Sequence, residues 1–283
     1  MQFAIDKVGQ WSDEQDFKVE ADRIKQYAAA TNDPIPAHAN GELAPPVFSV
    51  VPVWDAMGGA VAEVTPADAF PFVVHGEQDM YFHQPIVPGA VLRSRAAPIG
   101  VHVKQSGTTV VSRMETRDET GALVNEQYSV TFFRGVTGGD GIGDAAPEHR
   151  FPEELRSTEP VAVAEQTFDT DQTYRYSAAS GDTVPIHLDE EFAKSVGLPG
   201  IIIHGLCTTA FTSWAAIGEL AAGEPKLLKR LAVRFSKPVL PGETITTRFW
   251  TVGERDGKTA YAFETVNPAG EAVIKDGVAE IEI

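Results

Sequence analysis

The residues with the clearest capacity for chemistry lie in one short run, Ser180-Gly181-Asp182-Thr183-Val184-Pro185-Ile186-His187. Asp182 and His187 stand five residues apart with Pro185 between them. Proline fixes its own φ and stiffens the segment, and Gly181 permits a sharp turn directly before the acid. Both side chains can then reach one small volume. A carboxylate and an imidazole that share a water molecule make a general acid/base pair. An imidazole, with an ordinary pKa of about 6.5, exchanges protons near neutrality. Farther along stands His204-Gly205, at the start of the longest helical pattern in the chain. The first N–H groups of a helix lack internal partners and carry partial positive charge. Gly205 has no side chain to obstruct approach, so a carbonyl oxygen gaining negative charge could be held there. An Asp–His pair beside a proline turn is also a common structural device, and His-Gly often marks only a helix start.

A comparison within the chain separates these readings. Residues 27–38, YAAATNDPIPAH, repeat as residues 176–187, YSAASGDTVPIH, 149 positions later. Tyr27, Asp33, Pro36 and His38 meet Tyr176, Asp182, Pro185 and His187. FHQPIVPG (82–89) matches FSKPVLPG (235–242), and ETRDETGALV (115–124) matches ETVNPAGEAV (264–273). Three blocks in one order predict a tandem duplication. The expected division is an N-terminal unit over 1–134, a Gly-rich linker over 135–160 and a C-terminal unit over 161–283. The second copy carries the full chemical set. In the first, Asn32 stands for Gly181, Pro34 follows the Asp, and the expected helix start near Phe48–Val51 has no His-Gly. The first copy therefore reads as a degenerate site. Its Trp54, Met57, Phe70 and Phe72 could line a path for an apolar ligand, though core packing explains them equally well.

The second copy also predicts its own scaffold. A short helix precedes Gly181, through Ser177–Ser180, with Thr170 or Asp171 as a possible cap farther upstream. A second short helix is expected over Asp189–Ser195, with an acidic first turn that suits the helix dipole. Leu206–Leu220 carries apolar residues three and four apart, the pattern of a largely buried helix. Strands follow at Leu231–Phe235, Glu243–Val252 and Ala260–Val266. Asp256-Gly257 is a hairpin turn signal, and one or two strands close the chain over Glu271–Ile283. One long helix with a run of antiparallel strands is an α+β unit.

Bulk properties narrow the function classes. The 283 residues suffice for two moderate domains. A formal net charge of −17 disfavours nucleic acid, whose phosphates draw on a surplus of Lys and Arg. No run is long and apolar enough for a membrane helix. The N-terminal stretch, with Asp6, Asp13, Glu14 and Asp16, does not read as a signal peptide. A single cysteine, Cys207, fits a reducing compartment, and the cytoplasm is the expected location.

The string Y-x-Y-S-A-A-S-G-D-T-V-P-I-H-L-D, followed by G-L-P-G-I-I-I-H-G-L-C-T, resembles the hydratase-2 motif of the MaoC-like dehydratases. In the first copy, VVHGEQDMYFHQPIVPG (73–89) is similar to that family's N-terminal half. The resemblance spans nearly the whole chain. It implies a double hot-dog fold, each unit an antiparallel sheet wrapped around a long helix. It implies hydration of a trans-2-enoyl thioester to the (3R)-hydroxyacyl thioester or the reverse, with no metal and no redox cofactor. It implies Asp182 and His187 as the catalytic pair and Gly205 as the oxyanion donor, with Ser180, Gly181, Pro185 and His204 around the substrate. Val184 stands where the family usually has an Asn that helps to fix the water.

Residues 226–237 hold Lys226, Lys229, Arg230, Arg234 and Lys237 with no acid among them. Such a window, Arg234 and Lys237 above all, could hold the phosphates of an acyl-CoA. It reads equally as a solvated strand entry. The leading expectation is an acyl-CoA hydro-lyase, with a homodimer possible. A hot-dog acyl-CoA thioesterase and a non-catalytic acyl-CoA-binding subunit are the alternatives.

Overall fold

The computed structural model describes residues 1–283. Its helices are α1 (Ala21–Ala30), α2 (Pro36–Ala39), α3 (Trp54–Val64), α4 (Gln172–Ser180), α5 (Glu190–Ser195) and α6 (Gly205–Leu220). The strands of the first half are β1 (Gln15–Lys18), β2 (Val73–Phe82), β3 (Val91–Lys104), β4 (Gly107–Arg117), β5 (Leu123–Arg134) and β6 (Ile142–Gly143). Those of the second half are β7 (Ala162–Thr167), β8 (Leu228–Phe235), β9 (Thr244–Arg255), β10 (Lys258–Val266) and β11 (Ala272–Glu282).

Two compact units result, and no single cut in the chain divides them. The first comprises residues 1–18, 52–84 and 90–148; the second comprises 19–51, 85–89 and 149–283. The crossing at Glu148/His149 falls inside the Gly-rich segment 135–160. That segment is partly ordered: β6 pairs with β3, Glu153–Ser157 forms a 3-10 turn, and Phe151 packs edge-on against Trp250 at 5.1 Å.

In the first unit the strands run β1-β3-β4-β5-β2, each pair antiparallel. α3 lies against β3 and β4. Met57, Ala56 and Ala60 on that helix join Val53, Ala96 and Met114 in one apolar cluster, with Trp54 packed on it. Core packing thus accounts for Trp54 and Met57. Phe70 and Phe72, in the 3-10 segment Ala67–Phe72, are exposed.

In the second unit the order is β8-β11-β10-β9-β7, again antiparallel throughout. α6 packs on β7 and β8. Eleven of its sixteen residues are buried. A helix immersed on most sides must satisfy its own polar groups. Thr208, Thr209 and Thr212 do so by donating to the carbonyls four residues back, His204, Gly205 and Thr208. Phe211 stacks on Phe168 at 4.2 Å, and Gln166 of β7 donates to the Phe211 carbonyl. The Asp256-Gly257 hairpin forms as expected, both residues at positive φ (52° and 73°).

Three differences from the sequence expectations have physical causes. α4 begins at Gln172, five residues before Ser177, because Gln172, Thr173 and Tyr176 are buried and extend the helix toward its N-terminus. The Gln172 amide donates to the Ala30 carbonyl at the end of α1. β7 carries no strand signal in the sequence, because it is a short sheet-edge strand with four of its six residues Ala, Glu or Gln. In the first copy, Pro46–Val50 forms a 3-10 turn, and the helix starts only at Trp54.

Candidate active site

α4 ends on Gly181, which takes φ 92° and reverses the chain. A side chain there would be strained, so the glycine between Ser180 and Asp182 has a backbone reason. The Ser180 hydroxyl accepts from the Asp182 N–H at 3.1 Å, and Asp182 Oδ1 accepts from the Val184 N–H at 3.1 Å. These two bonds fold residues 180–184 into a rigid loop. Pro185 then opens the 3-10 turn Pro185–His187. The imidazole of His187 donates from Nδ1 to the Ile202 carbonyl at 2.8 Å. A carbonyl only accepts, so the hydrogen sits on Nδ1 and Nε2 carries the lone pair.

His204 lies beside both. Its ring stacks on that of His187 with centroids 3.8 Å apart and planes 22° from parallel. Its Nε2 donates to the Asp182 backbone carbonyl at 3.2 Å. Tyr176 flanks it at 4.9 Å, and the Tyr176 hydroxyl lies 3.3 Å from that of Tyr27. One ligand-type atom from each of Asp182, His187 and His204 falls within 4.8 Å of the others. That separation suits one water bridging a carboxylate and an imidazole, each hydrogen bond being about 2.8 Å. It does not suit a metal held by both imidazoles. The two ring planes run side by side, and planes so nearly parallel meet far beyond the ~2.1 Å reach of a metal–nitrogen bond.

All three side chains are nearly inaccessible, and burial disfavours their charged forms. Desolvation raises the Asp182 carboxyl to about 6, against the opposing Val184 N–H. Desolvation lowers His187 to about 4, against the pull of the Ile202 carbonyl. It lowers His204 to about 2, with the neighbouring His187 adding to the effect. At neutral pH the site therefore holds a carboxylate and two neutral imidazoles.

α6 begins at Gly205, and no side chain caps that end. A Cβ on Gly205 would fall 3.0–3.3 Å from atoms of the Phe235 ring. The glycine thus has a packing reason. The basic window looks different in three dimensions. Arg230 pairs with Glu280, Lys229 with Glu282, Arg234 with Asp276 and Lys237 with Glu271. Strand β11 supplies three of these acids and Glu271 just precedes it, about 45 residues beyond the window, so the local surplus of charge is largely balanced. Val184 is 43% exposed and touches the site through its backbone.

The first-copy pair is closed on itself. His38 Nδ1 lies 2.7 Å from Asp33 Oδ2, both side chains almost fully buried, and Asp33 Oδ1 accepts from the Ile35 N–H. The same backbone turn recurs, but the imidazole that reaches a distant carbonyl in the second copy here grips its own acid.

Comparisons with known proteins find matches for both halves of the chain. The MaoC like domain matches residues 153–272, and the FAS1-like dehydratase domain region matches residues 6–127. A probable enoyl-CoA hydratase 2 of Dictyostelium discoideum is 31% identical over 212 residues, covering 74% of this chain and 70% of that protein. The chain belongs to the MaoC-like hydratase–dehydratase family. Peroxisomal multifunctional enzyme type 2 of Drosophila melanogaster is 32% identical over 75% of this chain but only 35% of its own length. The chain thus spans about a third of that relative. Among solved structures, a MaoC-like dehydratase from Phytophthora capsici superposes with a TM-score of 0.85 at 26% identity, covering 99% of this chain and 97% of that one. The fold is the double hot-dog. This MaoC-like enzyme has no helix long and apolar enough to cross a membrane.

Sequence reasoning placed His204 near the substrate but missed its contact with both Asp182 and His187. It also missed the Tyr27–Tyr176 contact. The signal was available in the repeat, since the two tyrosines are equivalent residues 149 positions apart.

Proposed function

We propose that the protein catalyses the reversible hydration of a trans-2-enoyl-CoA to the (3R)-3-hydroxyacyl-CoA. The observation that carries the reading is the spacing of the pair: the Asp182 carboxylate and a His187 ring nitrogen lie within 4.8 Å, with Nδ1 of His187 committed to Ile202. In this reading the carboxylate and the remaining His187 nitrogen, Nε2, are the two acceptors of one water. The curated relatives named enoyl-CoA hydratase 2 support the substrate class.

In this reading the thioester carbonyl lies against the N–H of Gly205 at the start of α6. The water donates to Asp182 and to His187 Nε2. Asp182 has the greater proton affinity of the two and takes the proton as the water oxygen bonds to C3. The C2=C3 electrons move toward the thioester, and the oxygen gains charge at the helix terminus. One such donor is worth about 2.7–4 kcal/mol. The proton on Asp182 passes to C2 as the enolate collapses. Water has then added across the double bond, and both side chains have regained their starting charge. Dehydration is the same path reversed.

The C-terminal unit (161–283) carries the catalysis in this reading. The N-terminal half of the sequence (1–134) has an acyl-binding role in this reading, and the closed Asp33–His38 pair supports the absence of a second working site there. The single buried Cys207 suits a reducing compartment, which we take to be the cytoplasm.

The test follows loss of enoyl absorbance with crotonyl-CoA and a longer trans-2-enoyl-CoA. Wild type should turn over at least one of them to the (3R) product, and Asp182→Asn and His187→Ala should each lose at least a hundredfold in kcat. Release of free thiol by wild type would replace this reading with a thioesterase. Tight binding without turnover would replace it with a binding subunit.

A further inference from the structure

His204 is poorly explained as a substrate contact alone. It is 1% exposed, and its ring leans on the face of His187. Its Nε2–H is spent on the Asp182 carbonyl, so its Nδ1 is a bare acceptor, and that atom is buried without a hydrogen-bond partner. Leaving a buried acceptor unpaired is unfavourable, so the placement of this ring calls for a reason. The cost brings a definite geometry in return. A single side chain, at the residue just before the oxyanion helix, touches the backbone of the acid and the ring of the base.

We infer that His204 is the positioning residue of the acid/base pair: it locks the Asp182 loop and the His187 ring into one register and ties both to the first turn of α6. The inference rests on the hydratase reading for its kinetic consequence but not for its structural one. Five contacts have to coincide for one water to be shared and for the thioester oxygen to meet Gly205. The Ser180 hydroxyl and the Val184 N–H set the Asp182 loop from one side, and the Ile202 carbonyl sets the Nδ1 edge of His187. The His187 face and the Asp182 carbonyl are set by His204. Tyr176, packed behind His204, limits its freedom to swing away. A displacement of about 1 Å in such a constellation costs on the order of a hundredfold in rate.

The decisive experiment uses three variants of the full chain. His204→Ala removes ring and donor, His204→Phe keeps the stacking face without the donor, and His204→Asn keeps a donor without the ring. The expected result is a loss in kcat of about a hundredfold for His204→Ala with KM changed less than threefold. The Phe and Asn variants should each recover part of that loss. Nitrogen NMR of His187 without substrate gives a second readout. Wild type should show one fixed tautomer, hydrogen on Nδ1, and His204→Ala should show an averaged signal at an unchanged fold by circular dichroism. If all three variants keep wild-type kcat and the fixed tautomer, the positioning role is wrong. A raised KM at constant kcat would assign His204 to binding and also overturn it. If wild type itself turns over no enoyl-CoA, the hydratase reading fails, and the tautomer measurement alone decides the inference.

Discussion

Asp182 gains proton affinity from burial and His187 loses it from the same cause, so the acid and the base have nearly exchanged their ordinary ranks. Two outcomes follow at this scale. In the proposed hydration Asp182 must be ionised, and it protonates as pH falls through about 6. His187 stays neutral until about 4. The kcat/KM of hydration should therefore be flat near neutrality and fall about tenfold per pH unit below 6. A limb placed instead near the ordinary carboxylate range would show Asp182 to be well solvated. The second outcome concerns stability. Asp182 has a folded pKa above its unfolded value of 3.8, so folding opposes its ionisation. That penalty is absent below 3.8, grows between 3.8 and 6, and is constant above 6. Asp182→Asn keeps an acceptor for the Val184 N–H and sheds the penalty. It should raise stability by on the order of 2 kcal/mol at pH 7.5 and by nothing at pH 3.5, as read from urea melts. The pair itself was legible in the sequence because Gly181 and Pro185 force the bend. The inverted proton affinities were not, since burial by residues distant in sequence creates them.

Elements hold these residues in place, and α6 is the most exacting of them. Its apolar spacing was readable, and so was its start, because His-Gly interrupts an apolar run. The reason for the glycine was only half readable. Phe235, thirty residues on, presses its ring where a Cβ would stand. Gly205→Ala must move either the ring or the first turn of α6. We expect kcat to drop ten- to a hundredfold as the N–H groups shift, with a modest loss in melting temperature. Gly205→Ala combined with Phe235→Leu should recover most of the rate if crowding is the cause. No recovery would mean that the methyl itself blocks the thioester. α4 and β7 illustrate the limit of local pattern. The first half of α4 is polar yet buried against α1, and its amide and guanidinium groups find partners at Ala29, Ala30 and Asn32. Such tertiary satisfaction leaves no periodic trace in the sequence.

At the scale of the molecule, the proposed function divides stability and chemistry between two copies of one motif. The same Asx-type turn sits at Asp33 and Asp182, with the following N–H bonded to the carboxylate in each. In the first copy the imidazole completes the pair at 2.7 Å and leaves no gap for a water. In the second, Ile202 draws the imidazole away and His204 backs it. The repeat was plain in the sequence, whereas this difference depends on partners outside the repeated block. The charge distribution has the same character: a window that reads as basic is balanced by acids of β11 and its approach that no local reading connects to it. The two pairs should accordingly respond to mutation in opposite ways. Asp33→Asn and His38→Ala break a satisfied buried hydrogen bond, so each should cost about 1–3 kcal/mol and leave kcat per folded molecule within twofold of wild type. Asp182→Asn should do the reverse, abolishing turnover while stabilising the fold. Urea melts and enoyl-CoA hydration on the same three preparations decide the matter. A large kcat loss in the Asp33 or His38 variants at full folding would make the first copy a working site, and the division of labour drawn from the closed pair would fall.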